Sequence, residues 1–381
     1  MKITKIEPFI IHVPIPDGIA DSMSTVTHWG MPGVVITTDT GLKGYGYTGT
    51  HAHLPSDQVI IHYIEAVYSP LVIDETLESV ADIERLWKKC YHFSPGQWVG
   101  RLGISQLALS CIDIALWDLM AKANDKPLWQ LLSSSNKAKQ LSAYDTDCGW
   151  LSFNEDTLAK GCKAAIDQGY FGVKIKVGKD NINEDLDRIA KVRNAIGDDA
   201  KLMIDANGRW ELDSIKKILP QLDQFNLFWL EEPLWYEDLQ SHIELAKVMK
   251  TPIALGEQIY SSFNFETFIN AGVVQFAQPD AVRMAGITDW LKVADHAYAN
   301  NVPVMSHVGD MMQVHWHLAF SHPACNLLEH IPWIKDCVEE PARVENGFFK
   351  APQLPGAGTT ILESAFDEYS KPLGFDSLSM S

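Results

Sequence analysis

The sequence predicts a β/α barrel carrying an α+β cap, and three observations predict it. Seven polar residues, Lys176, Asp205, Glu231, Glu257, Asp280, His307 and Glu329, follow one another at intervals of 29, 26, 26, 23, 27 and 22 residues. Each closes a short apolar run: GVKIK, KLMID, FWLEE, IALGE, VQFAQPD, NVPVMSH and CNLLE. One strand, one helix and two loops take up about that length in a barrel of this type. Residues 1 to about 130 instead read as sheet first and helices after. A stride of one repeat puts the same rim position of successive strands around one mouth, and barrel active sites lie at that C-terminal rim. The spacing therefore argues for an enzyme.

In the cap, KITKIEPFIIHVPI and GVVITTDTGLKGYGYTGT read as strands, with Asp39–Thr40–Gly41 as the turn inside the second stretch. Helical patterns follow and end in the apolar stretch from Ile104 to Leu132. From about residue 141 strand and helix patterns alternate. LSAYDT is the first strand, and Ser152 to Glu155 reads as a capping box opening a helix with Leu158, Cys162, Ala165 and Ile166 on one face. GVKIKV is the second strand, followed by a helix with Ile189, Val192 and Ile196 in phase. KLMID precedes a helix carrying Ile215, Ile218, Leu219 and Leu222, and the pattern continues through CNLLE. Beyond about residue 335 it stops. The proline- and glycine-rich tail (APQLPGAG) has no barrel unit to follow and is expected to fold back on the first domain. The expected organisation is a cap of residues 1–130, a barrel of residues 131–335 and a returning segment of residues 336–381.

Composition narrows the function. A 381-residue chain with 46% hydrophobic residues and twelve tryptophans can build a large core. A net charge of −18 with no compensating basic run excludes nucleic acid as a partner, and an anionic substrate then needs a local cation. No apolar run is expected to cross a membrane, and MKITKIEPFI reads as a strand rather than a signal peptide, so no membrane partner and a cytoplasmic location are expected. The six cysteines show no CxxC pair and read as free thiols of a reducing compartment.

Lys174 and Lys176 are two apart on a strand, so both point into the barrel. At about 6 Å and an effective dielectric of about 20 their ammonium groups repel by about 3 kcal/mol, about two pKa units. One is expected to be pushed toward neutrality and to serve as a base. Asp205, Glu231 and Glu257 bring three carboxylates to adjacent strand ends, a hard-oxygen set that suits Mg²⁺. Glu232 should point away from them, toward the helix layer or another rim contact. Asp280 beside His307 would orient the imidazole and raise its pKa, giving a proton carrier. His315, His317, His322 and His330 lack such placement and read as structural. Glu329 closes the ring, with a protonated form expected to donate to a substrate carboxylate oxygen. Together these groups suit proton abstraction next to a carboxylate.

With these residues assembled, the chain resembles the enolase superfamily, in particular its mandelate racemase subgroup. The motifs that carry the resemblance are KIK at Lys174–Lys176, DANGRW at Asp205–Trp210, EEP at Glu231–Pro233, GE at Gly256–Glu257, Asp280, His307, Glu329, and IALWDLMAKANDKPLWQLL from Ile114 to Leu132. It implies a (β/α)7β modified TIM barrel with an α+β capping domain formed by the N-terminal region and the C-terminal tail. It further implies Lys176 as base on one face of the substrate and Lys174 as modifier of its pKa. Asp205, Glu231 and Glu257 would bind one Mg²⁺ per subunit, and Asn207 would contact substrate or metal water. The His307–Asp280 dyad would work the opposite face, Glu329 would support the enolate, and the protein would form a homo-oligomer. Ser133–Ser135 and Asp125 stand where the family usually has glycine, away from the rim.

Racemases and dehydratases of the subgroup share these groups, so the cap loops must decide between them. Asp17 to Trp29 (DGIADSMSTVTHW) is rich in hydroxyl and charged groups, and Tyr47 to His53 (YTGTHAH) holds two histidines. Many hydrogen-bonding groups favour a polyhydroxylated acid over an aromatic one. The chain thus most resembles an acid sugar dehydratase, acting on a five- or six-carbon aldonate, lyxonate-like above others, to give a 2-keto-3-deoxy acid. His28, His51 and His53 are the expected contacts to the distal hydroxyls. The alternatives are a racemase or epimerase of a 2-hydroxy acid and a non-catalytic sugar-acid-binding barrel. A cycloisomerase or dipeptide epimerase is set aside because Asp280, not lysine, ends the sixth strand.

Overall fold

The computed structural model describes residues 1–51, 53–133, 140–308 and 312–373. Ala52 of the second cap loop and Ser134 and Ser135 lie outside the described residues. The chain opens with β1 (Ile3–Ala20) and β2 (Thr25–Thr38), a long antiparallel ribbon joined on one side by β3 (Lys43–Tyr47). The expected Asp39–Gly41 turn links β2 to β3, where the Gly41 N–H donates to the Thr38 carbonyl at 3.0 Å. Ribbon register breaks between Pro14 and Ile19, around Asp17 and Gly18 with φ of 61° and 65°. Asp17 to Trp29, expected as a loop, is therefore the far end of this ribbon and its tip.

Helices 55–63, 80–91 and 104–123 complete the cap. Helix 104–123 is long and apolar enough to cross a membrane, contrary to the sequence expectation, yet 94% of its most apolar window is buried inside the fold. It packs on β3 because glycines let the backbones touch. A Cβ on Gly46 would lie 2.0 Å from the Cys111 carbonyl oxygen, and one on Gly44 would lie 2.3 Å from that of Ala115.

The barrel runs β4 (Gln140–Asp145), β5 (Gly172–Lys176), β6 (Lys201–Asp205), β7 (Trp229–Glu231), β8 (Ile253–Leu255) and β9 (Phe276–Ala277), each parallel to the next. Val304 continues the ring through a parallel bridge to Ala277, and β10 (Leu327–His330) closes it against β4. Helices 155–167, 182–196, 212–222, 239–246, 262–270, 287–299 and 312–321 alternate with these strands. This is the expected (β/α)7β order. Alternation along the strands sorts side chains as predicted: Val173, Ile175, Leu202, Ile204 and Leu230 join the core shared with the helices, while Tyr144, Met203, Trp229, Ala254, Met305 and Leu327 fill a separate apolar layer inside the barrel. The first barrel helix is capped by Asn154, whose side chain accepts from the N–H groups of Asp156 and Thr157, two residues later than the expected Ser152 cap.

The tail divides its attention. β11 (Val344–Glu345) and β12 (Phe348–Lys350) form a hairpin on β4, so this part stays with the barrel, where β4 offers a free edge near its start. From Gly356 onward the tail returns to the cap as expected. The Leu128 N–H donates to Gly356 O at 2.7 Å, Thr359 Oγ1 to Tyr45 O at 2.7 Å, and Phe366 meets Phe9 edge-on at 5.2 Å.

Two outcomes follow from this packing. Gly46→Val forces the helix off β3, and overpacking at backbone costs about 1–3 kcal/mol, so thermal unfolding should show a lower midpoint than wild type. His317 is fully buried with neither ring nitrogen hydrogen-bonded, and burial pushes its pKa down to about 3. Its neutral form contributes stability that is present above the unfolded pKa near 6.5 and lost as pH falls from there toward 3. At pH 5 the loss is about 2 kcal/mol, so the melting temperature of His317→Leu should fall less between pH 7 and pH 5 than that of wild type.

Candidate active site

The register of β5, β6 and β7 sets the site. Lys176 stands beside Asp205, and Asp205 beside Glu231, at one level of three adjacent strands. Glu257 follows β8 after Gly256, where a Cβ would lie 2.2 Å from the Gln278 carbonyl oxygen, so only glycine lets the chain pass this close. Carboxylate oxygens of Asp205, Glu231 and Glu257 come within 4.8 Å of one another, and all three residues are buried. Three hard anionic oxygens converging out of solvent fit a small divalent cation.

Charge pairing runs through the whole cluster. Lys174 Nζ lies 2.6 Å from Glu231 Oε1, 2.9 Å from Glu329 Oε1 and 3.9 Å from Asp205 Oδ2. Lys176 Nζ donates to Asp205 Oδ2 at 2.5 Å. Burial works to lower both lysine pKa values, but the surrounding carboxylates outweigh it and hold both above the ordinary lysine range. The expected drift of one lysine toward neutrality is therefore not what these charges produce, because each ammonium has a carboxylate closer than the other lysine's effect can offset. Glu231 is held further by Trp229 Nε1 at 3.1 Å and Gln278 Nε2 at 2.7 Å on Oε2, and burial raises its pKa to about 7.

His307 and Asp280 form the expected dyad, with Nδ1 2.7 Å from Asp280 Oδ2, while Nε2 lies 3.0 Å from Glu257 Oε2. Burial alone would lower the imidazole pKa; Glu257 and Asp280 reverse that and hold it well above the usual histidine range. Asp280 Oδ1 accepts the Val282 N–H at 2.9 Å and lies 3.1 Å from His315 Nε2. His315 thus backs the dyad from helix 312–321, a placement its sequence position did not announce.

Glu329 departs from expectation. Burial favours its protonated form, but the Lys174 ammonium and the Thr146 hydroxyl at 2.6 Å hold its pKa below the ordinary carboxylate range. It accepts hydrogen bonds here rather than donating one. Glu232 takes the second of its two expected places, a contact at the rim. With φ of 39° it lines the cavity, with Oε1 lacking a hydrogen-bond partner. Asn207 does the same, with φ of 45° and Oδ1 without a partner. Two residues in left-handed backbone, each with an orphaned buried oxygen aimed into one space, mark a place built for a ligand.

The cavity at the barrel mouth holds about 140 Å³ and brings together Lys176, Glu257, His307, Glu329, Asn207 and Glu232. From the ribbon tip, Ile19, Asp21, Met23, Ser24, Val26 and Trp29 reach it, so the cap wall is more apolar than the hydroxyl-rich sequence suggested. Of the three expected cap histidines only His51 lines it, edge-on to Trp29 at 4.4 Å and 6.5 Å from His307. Burial, helped by Arg283, lowers the His51 pKa to about 3, so it is neutral. His28 is exposed beside Thr27, and His53 is exposed with Nδ1 on Ser56 Oγ at 2.8 Å. Strand alternation turns His28 outward because Trp29 must face in. Gln278 and Thr146 were missed, although Gln278 stands two before Asp280, the same spacing that paired the lysines.

Comparison with known proteins agrees with this geometry. Residues 5–133 match the family described as mandelate racemase / muconate lactonizing enzyme, N-terminal domain, and residues 157–365 the one described as enolase C-terminal domain-like. The L-talarate/galactarate dehydratase of Salmonella typhimurium is 36% identical over 288 residues, 76% of this chain and 71% of that one. The arabinonate dehydratase of Saccharolobus solfataricus is 28% identical over 342 residues, covering 88% of this chain and 89% of that one. A crystal structure of the Salmonella enzyme, liganded with Mg and L-lyxarohydroxamate, superimposes with a TM-score of 0.88 at 30% identity over 97% of this chain and 93% of that one. This chain belongs to the mandelate racemase/muconate lactonizing enzyme family of the enolase superfamily, and within it the similarity is to acid sugar dehydratases.

For any acid the protein turns over, His28→Ala and His53→Ala should leave kcat/KM within about twofold, since neither faces the cavity. His51→Ala opens the wall beside His307 and should lower it by roughly tenfold or more, as measured by steady-state kinetics.

Proposed function

We propose that this family member is a Mg²⁺-dependent hydro-lyase that dehydrates a polyhydroxylated sugar acid to a 2-keto-3-deoxy acid. A five- or six-carbon aldonate is the substrate class, with a lyxonate-like acid favoured. The observation that carries the reading is one cavity onto which a lysine from the second barrel strand and a carboxylate-held imidazole from the seventh both open, beside a buried carboxylate triad. Similarity to enzymes named as talarate/galactarate and arabinonate dehydratases supports the reaction type.

Asp205, Glu231 and Glu257 would hold one Mg²⁺ per subunit, which supplies the positive charge that makes the C–H next to the substrate carboxylate more acidic. Lys176 takes the α-proton. Asp205 holds it protonated here; with Asp205 serving as a metal ligand, the amine would be released to act as a base. His307, charged and oriented by Asp280, delivers a proton to the departing β-hydroxyl. Lys174 pairs with Glu231 and Glu329 and holds them in place, and Asn207 and Glu232 offer their free oxygens to substrate hydroxyls or water. The enol that results rearranges to the ketone without further help.

The same reading divides the chain into a cap (1–130), a catalytic barrel (131–335) and a returning segment (336–381), working in the cytoplasm on a small-molecule acid. It includes a homo-oligomer, supported by Trp98 and Val99, which are 92% and 78% exposed and leave apolar surface for a second copy to cover.

Chelation should abolish dehydration and added Mg²⁺ restore it; full activity in verified metal-free protein would sink the proposal. Gln278→Leu removes a hydrogen bond that orients Glu231 and should weaken Mg²⁺ binding by about 10–100-fold, read by calorimetry independently of turnover. His307→Asn should lose dehydration, and retained exchange of the α-proton in deuterated water would assign the base to Lys176. A His307→Asn protein that dehydrates at near-normal rate would overturn the assignment of roles.

A further inference from the structure

Building on the dehydratase reading, we infer that the cavity selects monocarboxylates and turns away dicarboxylates, with Asp21 enforcing the choice and Trp29 and Trp333 forming the wall that receives the uncharged distal end. Positive charge is scarce in the cavity. Among the described residues, the cationic groups lining the cavity are Lys176 and His307. Both stand at the reacting end and are paired there, with Asp205 and with Glu257 and Asp280. A substrate's first carboxylate is accounted for at that end; a second one would find no cation at the other.

Arg283, held against Glu257 and Gln258 of the cavity lining, is committed elsewhere. It is buried, with Nε on the Glu257 carbonyl oxygen at 2.7 Å and Nη2 on Gln258 Oε1 at 2.9 Å and Tyr260 OH at 3.0 Å. Arg209 is half exposed and paired with Asp180 at 2.8 Å. His51, the remaining basic side chain on the wall, is neutral.

Negative charge is present instead, and it is fixed. Asp21 lines the cavity from the ribbon tip, with Oδ1 accepting the N–H groups of Met23 and Ser24, both at 2.7 Å. The tip cannot easily lift Asp21 away, because Ser22 Oγ donates to Ala206 O at 2.9 Å and the Leu151 N–H to Ala20 O at 2.8 Å. A substrate carboxylate within about 6 Å of Asp21, at an effective dielectric of about 20, loses about a hundredfold in affinity.

One wall is aromatic, and it runs from Trp150, whose ring centroid lies 5.6 Å from Lys176 Nζ, to Trp333 and Trp29. Trp333 lies 5.2 Å from both Trp29 and Trp150, centroid to centroid. Trp150 Nε1 and Trp333 Nε1 both donate to Asp147 Oδ1, at 3.3 Å and 3.0 Å, which occupies their polar edges. Ring faces are electron-rich and repel an anion while accepting the C–H face of a sugar chain. Charge and wall thus act in the same direction, toward a distal hydroxymethyl or methyl group.

Steady-state kinetics with Mg²⁺ on matched pairs, lyxonate against lyxarate and galactonate against galactarate, test this. Wild type should favour the monoacid of whichever pair it accepts by at least about a hundredfold in kcat/KM. Asp21→Asn keeps the acceptor for Met23 and Ser24 but drops the charge, and should reduce that ratio at least tenfold, mainly by improving the diacid. Equal use of both acids, or an unchanged ratio in Asp21→Asn, overturns the inference and leaves the dehydratase reading standing. If no acid is turned over, the dehydratase reading falls, and titrating the Mg²⁺-loaded protein with lyxonate and lyxarate by tryptophan fluorescence still decides charge selection: lyxarate binding as tightly as lyxonate overturns it.

Discussion

The rest of the molecule depends on a buried cluster of charges that are tolerable only together. Lys174, Asp205, Glu231 and Glu329 are each at most 1% exposed. A carboxylate or ammonium alone at such depth costs several kcal/mol, and removing one partner of a buried pair costs about 3–5 kcal/mol. Lys174 bridges Glu231 and Glu329 from strands on either side of it, so the second, fourth and eighth strands of the ring must all be in register before any of the three is stable. Beneath them lies the apolar layer of Tyr144, Met203 and Trp229, and Trp229 also lends its N–H to Glu231. Core and site are one construction here: the layer that fills the barrel is the floor on which the charges stand.

That cluster also explains why the cap closes where it does. Its open side is the mouth, and the β1–β2 ribbon reaches across it to be fastened at Ala206 and Leu151, while Thr48 Oγ1 donates to Val282 O at 2.6 Å beside the dyad. Each fastening lands on a barrel loop next to a functional residue. Closing the cap therefore excludes water from the groups whose interactions strengthen in its absence, and the residues that fix its position also shape what can enter.

Much of this could be read from the chain, because barrel geometry converts spacing into position. One repeat per strand placed Lys176, Asp205, Glu231, Glu257, Asp280, His307 and Glu329 around one mouth, and strand alternation sent Lys174 and Lys176 inward. What could not be read depended on backbone that leaves the strand pattern or on partners distant in sequence. Glu232 was expected on the helix layer or at another rim contact, and the left-handed backbone at that residue puts it in the cavity at the rim. Protonation followed pairing rather than neighbour spacing: Lys176 answers to Asp205, and Glu329 to Lys174 and Thr146. The cap was read least well. Hydroxyl-rich composition pointed to a polar wall, whereas alternation sets Trp29 inward and His28 outward, and the register break opposite them lets Val26, three residues before Trp29, line the cavity too.

If these groups remove the α-proton and expel the β-hydroxyl of one sugar acid, proton NMR of the Mg²⁺-loaded protein with lyxonate in deuterated water should show a 2-keto-3-deoxy acid carrying deuterium at carbon 3. Loss of the α-proton signal with the β-hydroxyl retained, or an unchanged spectrum across the aldonates, would contradict those roles.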